Sequence, residues 1–372
     1  MARFAVGFVL VSVIGWMTYV TLFFFQLGAR TPAEYWIYDA TTVKHHLLSA
    51  MTEKRKVLLV GGSSVWFGLD AALIQQALGM ETLNLGLHAM RPLDQLVDEV
   101  RPALKSGDTV IMPLEFEYYL IDTPYNDWYV NEVMAGKPNV FWSLTWQEKV
   151  AFFLAVSPMR VLEGVATRVS AFSTTEIQER IPGHPPEQVL LSMQQVWVTH
   201  PAPEQNYTFR NIDPQGNAIM VQGTFTSYVY PISVQSIASG YPWRTLAEFA
   251  RYCADRGVLL YIGWPPVVAG EVTFDSPFVR DNVQTILRRL TELGIPVLGV
   301  PTDFQYDRQF FADSGYHLNH EGRALHTEHT LRALNQKISS HGGCMLRTSS
   351  CQTSKKVPAR SPSKILPSSF SR

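Results

Sequence analysis

The residues best able to do chemistry stand in two clusters, and the first is a turn of small residues at positions 61–70. In this turn Ser64 follows two glycines and Ser63. A serine hydroxyl becomes a nucleophile where a turn keeps it accessible and backbone amides point at the charge developing on the substrate. A tight strand-to-helix turn or a phosphate-binding loop would use the same glycines, but no G-x-G-x-x-G and no P-loop lysine follows. The first cluster therefore suggests nucleophilic catalysis.

The second cluster, at positions 311–322, places Asp313 four residues before His317. A carboxylate at this distance can orient an imidazole and stabilise its protonated form, as the acid of a serine triad does. The alternative is that Asp313 caps a turn and His317 packs locally. The histidines that follow do not have the spacing of a zinc motif, so we expect neither a metal site nor a cofactor; they are His320, His326 and His329.

Short apolar runs separated by helical patterns must position these two clusters. The run that begins at Lys56 is typical of a buried strand, and four further runs look alike, at 82–87, 109–116, 258–264 and 296–301. An apolar stripe at helical spacing extends from Val279 to Leu293, and a second helical pattern spans 92–105. Strands that alternate with helices predict a parallel sheet covered by helices on both faces.

The N-terminal 29 residues predict a transmembrane anchor. Residues 4–25 carry no charge, and a helix of this length is long enough to cross a hydrocarbon core of roughly 30 Å. A cleaved signal peptide is the alternative, but its apolar region is usually only about 7–15 residues long. We further expect a connector at 30–55, a domain at 56–340 with an insertion at about 120–240, and a disordered basic tail at 341–372.

Charge and cysteine content exclude several classes of protein. The tail holds six of the 31 basic residues and no acid, so the rest of the chain is mildly acidic and gives no reason to expect a nucleic-acid partner. The three cysteines form no C-x-x-C pair and predict neither a disulfide framework nor a metal cluster.

The insertion is rich in tryptophans that could stack on sugar rings or pack in the core; they are Trp128, Trp142, Trp146 and Trp197.

The two clusters together resemble the sequence blocks of the SGNH, or GDSL-type, hydrolase superfamily. Residues 62–64 (Gly-Ser-Ser) are similar to the G-D-S block, and residues 84–86 (Asn-Leu-Gly) resemble the second block. Residues 313–319 resemble the late D-x-x-H block, with one extra residue. The resemblance implies an α/β three-layer sandwich, SGNH- or flavodoxin-like, with a five-stranded parallel sheet preceded here by the transmembrane helix.

The same resemblance implies roles for individual residues. Ser64 would be the nucleophile, His317 its general base, and Asp313 the acid that orients His317. The backbone amides of Ser64 and Gly86 would bind the oxyanion, and Asn84 lies in the same block as Gly86. These assignments come from the family's pattern and would place all five residues at one edge of the sheet.

One block of the family is missing, which bears on the expected activity. At the end of the strand that should carry G-x-N-D stands Glu115, so Glu115 or a neighbouring amide would have to replace the missing Asn. Together with the anchor, this pattern resembles the membrane-tethered proteins that assist acylation of envelope polymers, namely the D-alanyl transfer protein of teichoic acid synthesis and the alginate acetylation proteins.

That resemblance implies a serine esterase or O-acyltransferase acting on an envelope polysaccharide or glycolipid. It also implies a membrane-bound O-acyltransferase as partner and a domain on the extracytoplasmic, periplasmic face of the cytoplasmic membrane. Two alternatives remain. One is a non-catalytic assembly or binding protein on the same fold, and the other is a cytoplasm-facing, flavodoxin-like binding domain.

Overall fold

The computed structural model describes residues 2–29, 31, 36–53, 55–170, 184–201, 203, 205–225 and 227–340. Within these residues a parallel sheet of four strands has the order β2-β1-β3-β4. The strands are β1 Lys56–Leu59, β2 Glu81–Asn84, β3 Thr109–Pro113 and β4 Leu259–Gly263; a separate parallel pair joins β5 Val267–Val268 to β6 Gln305–Tyr306.

Helices account for most of the remaining described residues. They are α1 Ala2–Gln26, α2 Trp36–Ala50, α3 Ser63–Gly68, α4 Ala71–Leu78, α5 Leu93–Val100, α6 Glu117–Leu120, α7 Asp127–Gly136, α8 Pro138–Ser143, α9 Trp146–Ala155, α10 Pro158–Ser170, α11 Pro186–Thr199, α12 Tyr241–Arg256, α13 Pro277–Glu292 and α14 His320–Ser340. The helical patterns predicted near 92–105 and 279–293 correspond to α5, with the short 3₁₀ turn after it, and to α13.

Helices cover both faces of the sheet because successive strand residues point to opposite sides. On β1, Leu58 packs in a core with α5, α12 and α13, whereas Val57 and Leu59 pack in a second core with α3, α4 and α14. All three side chains are fully buried. The predicted α/β fold with a parallel sheet is therefore confirmed.

The expectation of a fifth strand in the sheet is wrong. Across the described ranges, the run at 296–301 contributes only an isolated parallel bridge between Val297 and Ile262. Two of its six residues are prolines, which have no amide to donate to a ladder. Gly299 adopts a φ of 66°, which turns the chain out of the extended conformation. The run therefore ends before it can become a strand of the sheet.

The segment expected to be a connector, 30–55, contains the helix α2. Its buried face, with Ile37, Ala40 and Val43, packs against residues of α3 and α11. The insertion at about 120–240 is largely helical and includes α7–α11.

Helix α1 is the one helix of the described ranges whose length and composition would allow it to cross a membrane by itself. Most of its apolar side chains are exposed, but Phe23 near its end is fully buried among residues of α7–α9. The predicted tail at 341–372 lies outside the described residues.

Candidate functional site

The two predicted clusters lie next to each other, at the carboxyl end of β1. Strand β1 is followed by the glycine turn and by α3, which begins at Ser63. Helix α14 packs against α3, and the amide of Asp70, just after α3, donates to Thr327 Oγ1 on α14 at 2.9 Å. Loops that follow parallel strands open at the same edge of a sheet, where open α/β proteins bind their ligands.

Asp313 and His317 form a hydrogen-bonded pair, with 2.7 Å between Asp313 Oδ1 and His317 Nδ1. The loop folds back on itself, because the amide of Ala312 donates to the carbonyl of His317 at 2.9 Å. This closed turn is what brings two side chains four residues apart into contact. The pairing leaves Nε2 as the ring nitrogen that would accept a proton.

The second carboxylate oxygen of Asp313 is held by two side chains of the insertion. Asn206 Nδ2 and the Tyr207 hydroxyl each donate to Asp313 Oδ2 at 2.9 Å. Burial raises the pKa of Asp313, but the hydrogen bonds from His317, Asn206 and Tyr207 outweigh it and lower the pKa. Asp313 therefore stays ionised and can hold the His317 ring in the orientation that a triad requires.

The sequence patterns did not identify Asn206 or Tyr207. They lie in the insertion, where no block of the resembling family gives a signal, and their partner is more than 100 residues away. The Tyr207 hydroxyl also lies 3.3 Å from His317 Nδ1, so it contacts both members of the pair. The insertion thus completes the site.

The His317 ring packs on the helix that carries Ser64. Its centroid lies 4.5 Å from that of Phe67, which follows Ser64 by three residues on α3. Residues three apart on a helix lie on one face, about 4.5 Å apart along the axis. The structure therefore brings Ser64 to the same part of the molecule as the Asp313–His317 pair.

The Ser64 side chain does not contact the imidazole as a triad requires. Ser64 is buried and its hydroxyl donates to the carbonyl oxygen of Pro113 at 3.4 Å. No hydrogen bond between Ser64 and His317 occurs among the described residues. A different χ1 rotamer of Ser64 would be needed for its hydroxyl to leave Pro113 and reach the imidazole.

Glu115 lies beneath the serine turn and holds it in place. The amide of Ser64 donates to Glu115 Oε1 at 2.7 Å, and that of Gly62 donates to Oε2 at 3.3 Å. Burial raises the pKa of Glu115 to about 7, because it outweighs the lowering by the hydrogen bonds from Ser64. Glu115 is fully buried, so in this structure it positions the turn and does not face a substrate.

Asn84 fastens the end of β2 to α3. Its Nδ2 donates to the carbonyls of Val65 at 2.8 Å and Leu69 at 3.1 Å, and its Oδ1 accepts from the amide of Gly86 at 2.9 Å. A Cβ atom on Gly86 would come within 2.4 Å of the amide nitrogen of Trp66. Only glycine allows β2 and α3 to approach this closely.

The two amides expected to bind an oxyanion are therefore both bonded within the protein. The Ser64 amide is taken by Glu115, and the Gly86 amide is taken by Asn84. The physical reason is that both amides lie on the buried side of the turn, where a donor without a partner would be costly. Their role as oxyanion donors stays a prediction that requires these side chains to move.

The other predicted residues have separate surroundings. No group of three potential ligands that could hold a metal ion occurs among the described residues. Of the insertion tryptophans, Trp128 stacks on His88 with centroids 4.9 Å apart, and Trp197 donates to the carbonyl of Ile212 at 2.8 Å. Trp142 and Trp146 are exposed.

Comparison with known proteins finds a similarity among solved structures. No family model matches the chain, and no curated protein matches it. Among solved structures, the chain is similar to one from Desulfitobacterium hafniense DCB-2, whose description assigns it to the G-D-S-L family of lipolytic proteins. The match covers 75% of this chain and 98% of the other, with 12% identity and a TM-score of 0.32.

Proposed function

We propose that this protein is a membrane-anchored serine esterase or O-acyltransferase whose catalytic residues are Ser64, His317 and Asp313. The observation that carries the proposal is the 2.7 Å contact between Asp313 and His317, on a ring that packs against the serine-bearing helix. The bonds from Asn206 and Tyr207 hold the carboxylate in the orientation that a triad needs.

In the proposed reaction Ser64 rotates away from Pro113 and attacks the carbonyl carbon of an ester. His317 Nε2 takes the proton of the hydroxyl as the new C–O bond forms, and returns it to the alcohol that leaves. Water or a sugar hydroxyl then attacks the acyl group on Ser64, with His317 again as base, so that Ser64 recovers its proton. The first acceptor gives ester hydrolysis and the second gives acyl transfer.

The proposed substrate is an acylated envelope polysaccharide or glycolipid, on the extracytoplasmic, periplasmic side of the cytoplasmic membrane. Support comes from the apolar helix α1 and from the sequence blocks, whose pattern resembles that of envelope acylation proteins. An anchored domain acts on substrates that stay near the membrane, and a membrane-bound O-acyltransferase is the proposed partner that supplies the acyl group.

A non-catalytic assembly or binding protein is the second candidate, and two contacts favour it. The Ser64 hydroxyl bonds to Pro113, and the Ser64 amide is occupied by Glu115. An enzyme of this class loses roughly 2.7–4 kcal/mol of transition-state stabilisation for each oxyanion donor that is removed. A site that kept both contacts would bind a ligand without turning it over.

Labelling of the full chain in detergent with a fluorophosphonate probe separates the two candidates. We expect the wild type and the control Ser63→Ala to be labelled, whereas Ser64→Ala and His317→Ala are not. Hydrolysis of a p-nitrophenyl ester should fall equally in both inactive variants, and the double variant should be scarcely worse because the residues act as a unit.

Two outcomes would contradict the proposal. A folded wild type that neither reacts with the probe nor hydrolyses the ester would favour the assembly or binding protein. Labelling that disappears in Ser63→Ala and persists in Ser64→Ala would assign the nucleophile to the neighbouring serine.

A further inference from the structure

Three helices of the insertion, α8, α9 and α10, expose an apolar surface, which we call the apolar platform. On α9 the stripe Trp146, Val150 and Leu154 has a spacing of four residues, so its members lie on one face. On α10, Met159 and Leu162 lie on the outer face. All of these except Val150 are more than half exposed. A helix in water normally turns such a stripe toward the core, so the reversed orientation needs a reason.

The platform lies beside α1, level with its apolar stretch. The ring of Phe153 on α9 contacts those of Trp16, Tyr19 and Phe23, with centroids 5.5, 5.4 and 4.7 Å apart. Trp16 precedes the end of α1 by ten residues, which corresponds to roughly 15 Å along the helix axis. If α1 crosses a membrane, the end of α9 therefore lies at the depth of the hydrocarbon.

Two polar side chains of this region, Tyr19 and Arg160, have partners inside the protein, as membrane depth requires. The Tyr19 hydroxyl donates to the carbonyl of Val156, where α9 ends, at 3.2 Å. Irregular backbone within a bilayer must find such partners inside the protein. Arg160 at the start of α10 is buried and donates to Gln26 at 3.2 Å and to Asn131 at 2.8 Å. Its charge thus points away from the exposed face.

The ends of the platform have the composition of a membrane interface. Trp142 on α8 stacks on Phe24 of α1 with centroids 5.6 Å apart, and tryptophan is enriched where a bilayer meets water. Glu148 and Lys149 lie in the first turn of α9, away from the Phe153 end. The exposed Glu163 follows Met159 by four residues on the same side of α10, so its carboxylate would have to reach the headgroups.

We propose that the apolar platform enters the lipid of the leaflet on the domain's side of the membrane, with lipid acyl chains as its occupant. Helices α9 and α10 meet at 88°, and α9 has only ten residues, too few to cross a hydrocarbon core, so in this proposal the pair enters one leaflet and does not cross. This inference rests on the anchoring role of α1 in the proposed function. It adds a second attachment, which fixes the height and tilt of the domain and holds the site at a set distance from the membrane.

Fluorescent labels at single cysteines test the platform in the full chain. An environment-sensitive nitrobenzoxadiazole label is placed at Leu154, Leu162, Leu10 or Val234, in a background with the two tail cysteines replaced by serine and the buried Cys253 replaced by alanine. Leu10 reports on α1, and Val234 is an exposed apolar control outside both regions. The proteins are reconstituted in liposomes of phosphatidylcholine and phosphatidylglycerol, without any other protein.

We expect labels at Leu154 and Leu162 to emit at shorter wavelength and to be quenched by doxyl-labelled lipids, as at Leu10. Aqueous iodide should quench the label at Val234 several-fold more strongly. Iodide quenching at Leu154 and Leu162 that equals that at Val234, with Leu10 in lipid, would overturn the platform and leave the anchor intact. Such a result would assign the surface to a protein partner. Iodide quenching at Leu10 as well would overturn the anchor itself, while the labelling of Ser64 would be unaffected.

Discussion

Replacing Glu115 by glutamine should flatten the pH dependence of the protein's stability. The carboxyl group is fully buried and accepts hydrogen bonds from the amides of Ser64 and Gly62. Its pKa is raised from 4.5 to about 7, chiefly by burial. The folded protein therefore retains a proton that the unfolded chain releases at lower pH.

The sign and size of the effect follow from this pKa. Because the folded-state pKa lies above the unfolded value, the stabilisation is complete below about pH 4.5 and is lost as the pH rises through 7. At about 1.4 kcal/mol per pKa unit, the free energy of unfolding should fall by about 2–3 kcal/mol between pH 5 and pH 8 because of this group. Glutamine does not titrate, so Glu115→Gln should lack this part of the decline.

The measurement is urea unfolding of the full chain in one detergent, followed by tryptophan fluorescence at several pH values from 5 to 8. The difference in the free energy of unfolding between wild type and variant isolates the contribution of Glu115. Other buried carboxyls, such as Glu117, whose pKa burial also raises, are present in both proteins. The exposed Glu328 supplies the control variant Glu328→Gln, which should parallel the wild type. A difference between wild type and Glu115→Gln that stays constant with pH would refute the reasoning.

Two further predictions concern the packing that positions the site. Gly86→Ala should destabilise the fold by about 1–3 kcal/mol, because its Cβ would overlap the backbone of α3. The control Gly68→Ala should be tolerated, because its Cβ would meet nothing nearer than 3.7 Å. Equal melting temperatures for the two variants would contradict this prediction. Asp108→Ala should cost about 3–5 kcal/mol in urea unfolding, because it leaves the buried Lys56 ammonium without the carboxylate 2.6 Å away. The exposed Glu292→Ala should change stability by about 1 kcal/mol or less, and similar losses in both would refute the prediction.

The sequence alone was enough to predict the elements whose signal is local. Apolar runs located β1, β2, β3 and β4, and helical spacing located α13, because periodicity reflects which face of a segment is buried. The contact between Asp313 and His317 could also be predicted, since a turn of five residues brings these side chains together and needs no contact with distant segments of the chain.

The other features of the fold and of the candidate site were decided by contacts between segments that are distant in the chain. The run at 296–301 has the composition of a strand, yet its prolines and the turn at Gly299 leave a single bridge. Asn206 and Tyr207 hold Asp313 from an insertion that shows no motif, and Glu115 occupies the Ser64 amide from the end of another strand. Which partner a buried hydrogen-bonding group finds depends on the whole fold, because the group must be satisfied by whatever lies beside it. Sequence therefore identified the candidate catalytic residues, and tertiary structure decided their hydrogen-bond partners.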